Sequence, residues 1–285
     1  MKSNLTLFMG FLMMTLLITC KQPEKSTEMN ILYLHQSTGG IIWQGSEVSL
    51  LQKAAGKVNL RLKYSLAYKP KLPRLFKKYN KDNQVNYKIA QMLFPGKSAN
   101  NPSNYYKIWV EKAGHEPYLQ DPTLELLSDQ YQIIIFKHCY TASHIEEATN
   151  ATDINSNIKT ISNYKLQYSA LRDKLHSFPA TKFILFVGAI EVRSEITEAE
   201  AKRANEFFQW VTEEWDLPGD NIYLWDLYSL QTEGGLYFKD EYAMSPEDSH
   251  PNKKFASRAV ELLFNRIIDV IENNGNGTLL TGEDI

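Results

Sequence analysis

Cysteine is nearly absent: the 285 residues hold two, Cys20 and Cys139. A framework of disulfides is therefore excluded, and stability has to come from a core. An excess of charge is missing as well, with 31 Lys+Arg against 33 Asp+Glu and a net of -2. Nothing global pulls such a chain toward nucleic acid, and no nucleic-acid partner is expected. Internal repeats are lacking too, which removes solenoids and propellers. What remains is a chain with 43% hydrophobic residues and mixed charges, the composition of a globular protein. Its length suits one α/β domain with a full core and is rather short for two substantial ones.

The first residues read as targeting rather than fold. Lys2 precedes an apolar run over 5–18, too short and too close to the start for a comfortable spanning helix, and Leu17-Ile18-Thr19-Cys20 closes it. That end resembles the lipobox of bacterial lipoprotein signal peptides, whose cysteine is acylated and becomes the mature N-terminus. The resemblance implies a signal peptide over 1–19, lipidation at Cys20, and an exported protein anchored through that lipid to a bacterial cell-envelope membrane. Thr19 stands where Gly, Ala or Ser is usual, and an ordinary secretory signal or a membrane anchor is the competing reading. Residues 20–29 are polar without an apolar period, as suits a tether. Cys139 follows a very apolar strand and reads as a buried small residue ahead of a nucleophile.

Past the tether, Ile31-Leu32-Tyr33-Leu34 has strand preference and runs into His35-Gln36-Ser37-Thr38-Gly39-Gly40, a small polar turn closed by glycines. A helix is expected over about 46–55, and 58–64 alternates apolar with polar like a strand near a sheet edge. Over 65–128 the periodicity weakens and the composition shifts toward Tyr, Lys, Asn and Pro, which reads as an excursion over the mouth of the sheet. Residues 131–136 have the continuous apolar character of a central strand and lead into Lys137-His138-Cys139-Tyr140-Thr141-Ala142-Ser143. A helix over 161–175, a strand over 183–187, a helix opened by the capping box at Thr197 and Glu200, a strand over 221–227 and a helix over 252–272 follow, with a flexible tail over 276–285. The alternation predicts a single domain over 30–275 of the α/β class. Its architecture is a three-layer α/β/α sandwich around a mostly parallel sheet of about five strands.

An α/β sheet presents chemistry at the carboxyl ends of its strands, which makes Ser37 a candidate nucleophile. A hydroxyl needs a base to take its proton, and Glu247-Asp248-Ser249-His250-Pro251-Asn252 supplies a histidine with carboxylates beside it. Taken alone, Ser-Thr-Gly-Gly is also a plain turn and His-Pro-Asn a plain helix start. His35, His138 and His144 sit near the same mouth, but no close pair has helical ligand spacing, and no metal is expected. Arg193 and Glu191 read as a solvated loop pair.

Together the strand with His35-Gln36-Ser37-Thr38-Gly39, the loop Phe136-Lys137-His138-Cys139-Tyr140 and the block Asp248-Ser249-His250-Pro251-Asn252 resemble the SGNH/GDSL hydrolases. The likeness runs over about 30–273 in the order and spacing of elements. It implies a flavodoxin-like fold and ester hydrolysis by a serine nucleophile, with no cofactor. Ser37 matches the serine of the first block, where the usual Gly-Asp-Ser has become His-Gln-Ser, and His250 matches the base of the last. The usual acid stands three residues before the histidine, at Glu247, whereas Asp248 is two before it; Asp248 is expected, with Glu247 as its rival. The usual third-block asparagine and second-block glycine are not evident, so the expected oxyanion donors are the backbone N–H of Ser37 with Gly40 or the Thr141 hydroxyl. The implied activity is that of a carboxylesterase or acetylesterase, acting as a monomer on a small-molecule or glycan ester; carbohydrate O-deacetylation is one option. The alternative is a non-catalytic glycan- or partner-binding lipoprotein on the same fold.

Overall fold

The first strand passes from solvent into the core along its own length. In the computed structural model, which describes residues 28–45, 54, 57–58, 70–148 and 151–285, β1 (Glu28–His35) begins exposed at Glu28 and is buried from Ile31 onward. The expected signal peptide, Cys20 and most of the tether lie outside the described residues. So do the helix and strand expected over 46–64, apart from isolated positions.

β1 pairs in parallel with β2 (Asn86–Leu93) on one side and β3 (Ile133–Phe136) on the other, Ile31 standing in register with both Ile89 and Ile133. β4 (Lys182–Val187) and β5 (Ile222–Asp226) extend the sheet to five parallel strands in the order β2-β1-β3-β4-β5. All four residues of β3 are fully buried, as a strand covered on both faces requires, and each such side chain contributes roughly 1.5–3 kcal/mol of transfer free energy. Helices flank the sheet, and the class is the expected three-layer α/β/α sandwich of flavodoxin-like form. The order reverses between β1 and β3, and ligands of open α/β sheets bind beyond the carboxyl ends at that reversal. The loops that follow β1 and β3 therefore share one crevice.

Among the described residues the α-helices with full bounds are α1 (Thr38–Gln44), α2 (Lys71–Asn83), α3 (Pro102–Tyr106), α4 (Leu124–Ser128), α5 (Ile161–His176), α6 (Glu198–Trp210), α7 (Leu227–Thr232) and α8 (Lys253–Asn273). The capping box opens α6 as expected: the Thr197 hydroxyl accepts from the Glu200 N–H at 3.3 Å, while the Glu200 carboxylate accepts from the Thr197 N–H at 3.1 Å. Asn252 caps α8 by accepting from the Phe255 N–H at 3.1 Å, and Phe255, Ala259, Leu263, Ile267 and Val270 recur along its buried face. A hairpin of β6 (Ala243–Ser245) and β7 (Asp248–Pro251) precedes that helix.

Two expectations need correction. The region 65–128 is not only an excursion, because it holds α2 and the edge strand β2. An edge strand keeps polar side chains such as Asn86 and Lys88 in solvent, and this hid its pattern. Pro73 sits in the first turn of α2, where its missing N–H is tolerated, so the prolines of this stretch open a helix. The tail over 276–285, expected to be flexible, is hydrogen-bonded to the domain. Asp269 accepts from the Gly277 and Thr278 N–H groups at 2.7 and 3.0 Å, the Trp225 indole donates to the Thr281 carbonyl at 2.9 Å, and the Asp226 N–H donates to the Leu280 carbonyl at 2.9 Å. The tail lies along the β5 edge of the sheet.

Candidate active site

Ser37 occupies the junction between β1 and α1 with φ 45° and ψ -111°. A residue with a side chain holds such a backbone only where its surroundings impose it, at about 1–3 kcal/mol. Here the Tyr33 hydroxyl, from β1, donates to the Gly39 carbonyl at 3.0 Å, and the Gly39 N–H donates to the Gln36 carbonyl at 2.9 Å. Gly39 packs so closely that a Cβ on it would stand 2.6 Å from His35 Cβ and 2.9 Å from Lys137 Cδ. The turn rests directly on the side chains beneath it. Gly45, at φ 66°, then ends α1 in the left-handed region against Lys71 and Val260.

The hairpin before α8 returns to this turn. The Ser37 hydroxyl hydrogen-bonds His250 Nε2, closing a sequence separation of 213 residues. On the far side of the ring, His250 Nδ1 stands 2.5 Å from Asp248 Oδ1, which also accepts from the His250 backbone N–H at 3.0 Å. An Nδ1–H given to Asp248 leaves Nε2 as the acceptor for the serine proton. Asp248 is therefore the carboxylate on the imidazole, and the rival Glu247 is not: its carboxylate accepts from the Ser245 hydroxyl at 3.2 Å within the hairpin. Ser249 holds the strand in place by accepting from the Val192 N–H at 3.0 Å.

The loop after β3 forms the other wall. Tyr140 sets its ring edge-on to His250, centroids 5.4 Å apart and planes at 83°. Burial, then the nearby Glu191 and Asp248 carboxylates, push its phenol up to about 12, so it stays neutral through the physiological range. Gln36 ties the walls together: its amide donates to the Pro95 carbonyl, and its carbonyl lies 3.9 Å from the half-buried Cys139 Sγ.

The oxyanion expectations fare differently. Gly40 gives its N–H to the Ser37 carbonyl at 2.9 Å, because α1 has already begun there, so it is withdrawn as a donor. Thr141 is exposed, and its described hydrogen bond is made by its carbonyl, which accepts from Lys159 at 2.7 Å. The N–H groups of Ser37 and Thr38 lead into the first turn of α1, where helical amides have no intrahelical carbonyl to meet.

Beneath the turn lie groups with no role in the chemistry expected from the sequence. Lys137 is fully buried, with its ammonium 4.0 Å from Cys139 Sγ, and burial lowers its pKa. Burial and this lysine pull His35 down to about 4, against the opposing hydrogen bond that its Nε2–H gives to the Gln91 side-chain carbonyl, and pull His138 down to about 3. Both imidazoles are neutral supports at pH 7. The only signal for them was position, at the carboxyl end of a buried strand. His144 meets Glu191 and lies 3.4 Å from Glu200, while Arg193 stands over the Tyr237 ring at 5.6 Å. Glu191 is thus not half of a solvated pair but a buried carboxylate whose pKa burial raises. Among the described residues no group of three or more His, Cys, Asp or Glu side chains is arranged to hold a metal ion.

No family model, no curated protein and no solved structure matches the chain. The site has to be read from its own geometry.

Proposed function

We propose that the protein is an ester hydrolase that works by acyl transfer through Ser37. The observation that carries the reading is the continuous line from the Ser37 hydroxyl to His250 Nε2 and from His250 Nδ1 to Asp248. As Ser37 attacks an ester carbonyl, its proton passes to Nε2; the carboxylate fixes the tautomer and stabilises the imidazolium that forms. The same imidazolium returns the proton to the departing alcohol, and water then repeats the sequence on the acyl-enzyme. The Ser37 and Thr38 amides at the start of α1 are the donors this reading assigns to the developing oxyanion, an interaction typically worth about 3 kcal/mol per donor. Tyr140 keeps one side of the imidazole dry.

Acylated carbohydrate at the bacterial envelope is the substrate class this reading favours, on the lipoprotein-like start and the SGNH-like blocks. The test is a panel of p-nitrophenyl acetate and acetylated sugars together with a fluorophosphonate probe. Wild type should turn over at least one ester and label at Ser37, and Ser37→Ala should do neither. The loss of Gly40 as a donor favours a second reading, a non-catalytic glycan binder on the same fold. That reading prevails if wild type and Ser37→Ala share the same background rate and Ser37 stays unlabelled.

A further inference from the structure

α2 carries Arg74, Lys77, Lys78 and Lys81 at i, i+3, i+4 and i+7, one stripe on a helix, and all four are exposed. The opposite face is committed to the domain: Leu72 and Phe76 are buried, and Phe76 and Tyr79 meet Phe264 of α8 at 5.1 and 5.8 Å. Of the acidic groups close by, Asp82 is exposed at the edge of the stripe, four residues after Lys78, without an ion pair to it among the described residues, and two others are engaged. Glu261 takes Lys71 at 2.6 Å, and Glu272 accepts from the Tyr79 and Tyr87 hydroxyls at 2.7 and 3.2 Å. Among the described residues none of the four stripe cations has an ion-pair partner. A chain of net charge -2 thus concentrates four unpaired positive charges on a strip about 10 Å long.

The stripe also sits where the N-terminal segment joins the domain. α2 ends at Asn83, and Asn86 opens β2 in register with Glu28, the first residue of β1. Upstream of Glu28 the sequence holds the apolar run 5–18 and Cys20. The residues between Cys20 and Glu28 reach under about 30 Å even when fully extended. A membrane that takes up the apolar run or a lipid on Cys20 is therefore within contact distance of this face.

We propose that the Arg74–Lys81 face docks on the anionic phospholipid headgroups of that membrane. It rests on the membrane-anchored reading of the N-terminus and is independent of the ester chemistry. Four cations beside a negatively charged leaflet suffice to orient a tethered domain, since each strengthens association about five-fold.

Full-length protein is reconstituted into vesicles of phosphatidylcholine alone or with about one third phosphatidylglycerol, and lysine acylation by a water-soluble amine reagent is mapped by mass spectrometry. Lys77, Lys78 and Lys81 should react at least about three-fold more slowly on the anionic vesicles, relative to Lys202 and Lys239, and should recover in about 1 M salt. In a Lys77→Glu, Lys78→Glu variant, Lys81 should lose its protection while ester turnover is unchanged. Equal rates on both vesicles, protection spread over Lys202 and Lys239, or failure of the chain to associate with either vesicle would overturn the proposal. So would protection by soluble dextran sulfate with none by vesicles, which would assign the face to a free polyanion.

Discussion

Gly39→Ala probes the packing that holds the nucleophile turn. The added Cβ would sit 2.6 Å from His35 Cβ, 2.9 Å from Lys137 Cδ and 3.2 Å from the Tyr33 hydroxyl. Comfortable carbon contacts lie near 3.5–4.0 Å, so two of these are short by roughly 1 Å. His35 Cβ is fixed to the backbone of β1, and the Lys137 stem is fully buried with no space to swing into. Overpacking of this kind costs about 1–3 kcal/mol, and the two rigid neighbours place the variant near the upper end. At about 2–4 °C per kcal/mol for a chain of this order of length, the melting temperature should fall by about 6–12 °C. Because the strain is relieved by moving the turn, fluorophosphonate labelling of Ser37 should slow at temperatures where the variant is still folded. Adding Lys137→Ala removes one clash and leaves His35, so the pair should recover only part of the difference. A melting shift below about 1 °C with unchanged labelling would refute the idea that the turn is held from beneath.

Other consequences follow from particular contacts. Asp248→Asn should lower kcat/KM by about a hundred-fold or more, whereas Glu247→Gln should leave it nearly unchanged; equal losses would remove Asp248 from its role. The loss should fall short of the roughly ten-thousand-fold known for deeply buried triads, because the Asp248 side chain is 43% exposed and partly screened. Burial and the adjacent Asp220 raise Asp216 to about 7 from a usual 3.8, so the folded state holds this proton more tightly than the unfolded one. This part of the stability therefore falls as pH rises from about 4 to about 7, and Asp216→Asn should gain up to about 4 kcal/mol over wild type at pH 8 and nothing at pH 4. Parallel denaturation midpoints for the two proteins across that range would contradict the assignment. Deleting 276–285 strips partners from Asp269, Trp225 and Asp226, and urea unfolding should show a loss of at least about 3 kcal/mol; a native midpoint would mean the tail adds nothing.

The regular half of the chain was legible because its signals are local. The Thr197 and Glu200 box, the apolar run of β3 and the amphipathic period of α8 are each contained in one short stretch, and the elements they mark lie within a residue or two of where the pattern puts them. β2 escaped because Asn86, Lys88 and Gln91 interrupt its apolar residues and only Tyr87 in it is buried, so no clean alternation appears. The tail escaped because its order comes from distant partners, Asp269 on α8 and Trp225 in β5, that no window of sequence contains. At the site, Ser37, His250 and Asp248 were marked by residue type and by loops at the ends of elements. The choice between Asp248 and Glu247 depended on a hairpin register that only coordinates supply. Lys137 was the least visible, since a lysine after a strand normally points to solvent.

The hydroxyl and the imidazole that meet at the mouth are separated by 213 positions. A ribosome delivers the first early and the second almost last, so a growing or prematurely terminated polypeptide holds only one half of the pair on which the proposed chemistry depends. Breakdown products that have lost either end inherit the same deficit, and two complementary fragments regain the pair only by docking into the whole sheet. Under the proposed hydrolase function, turnover doubles as a report that synthesis and folding have run to completion.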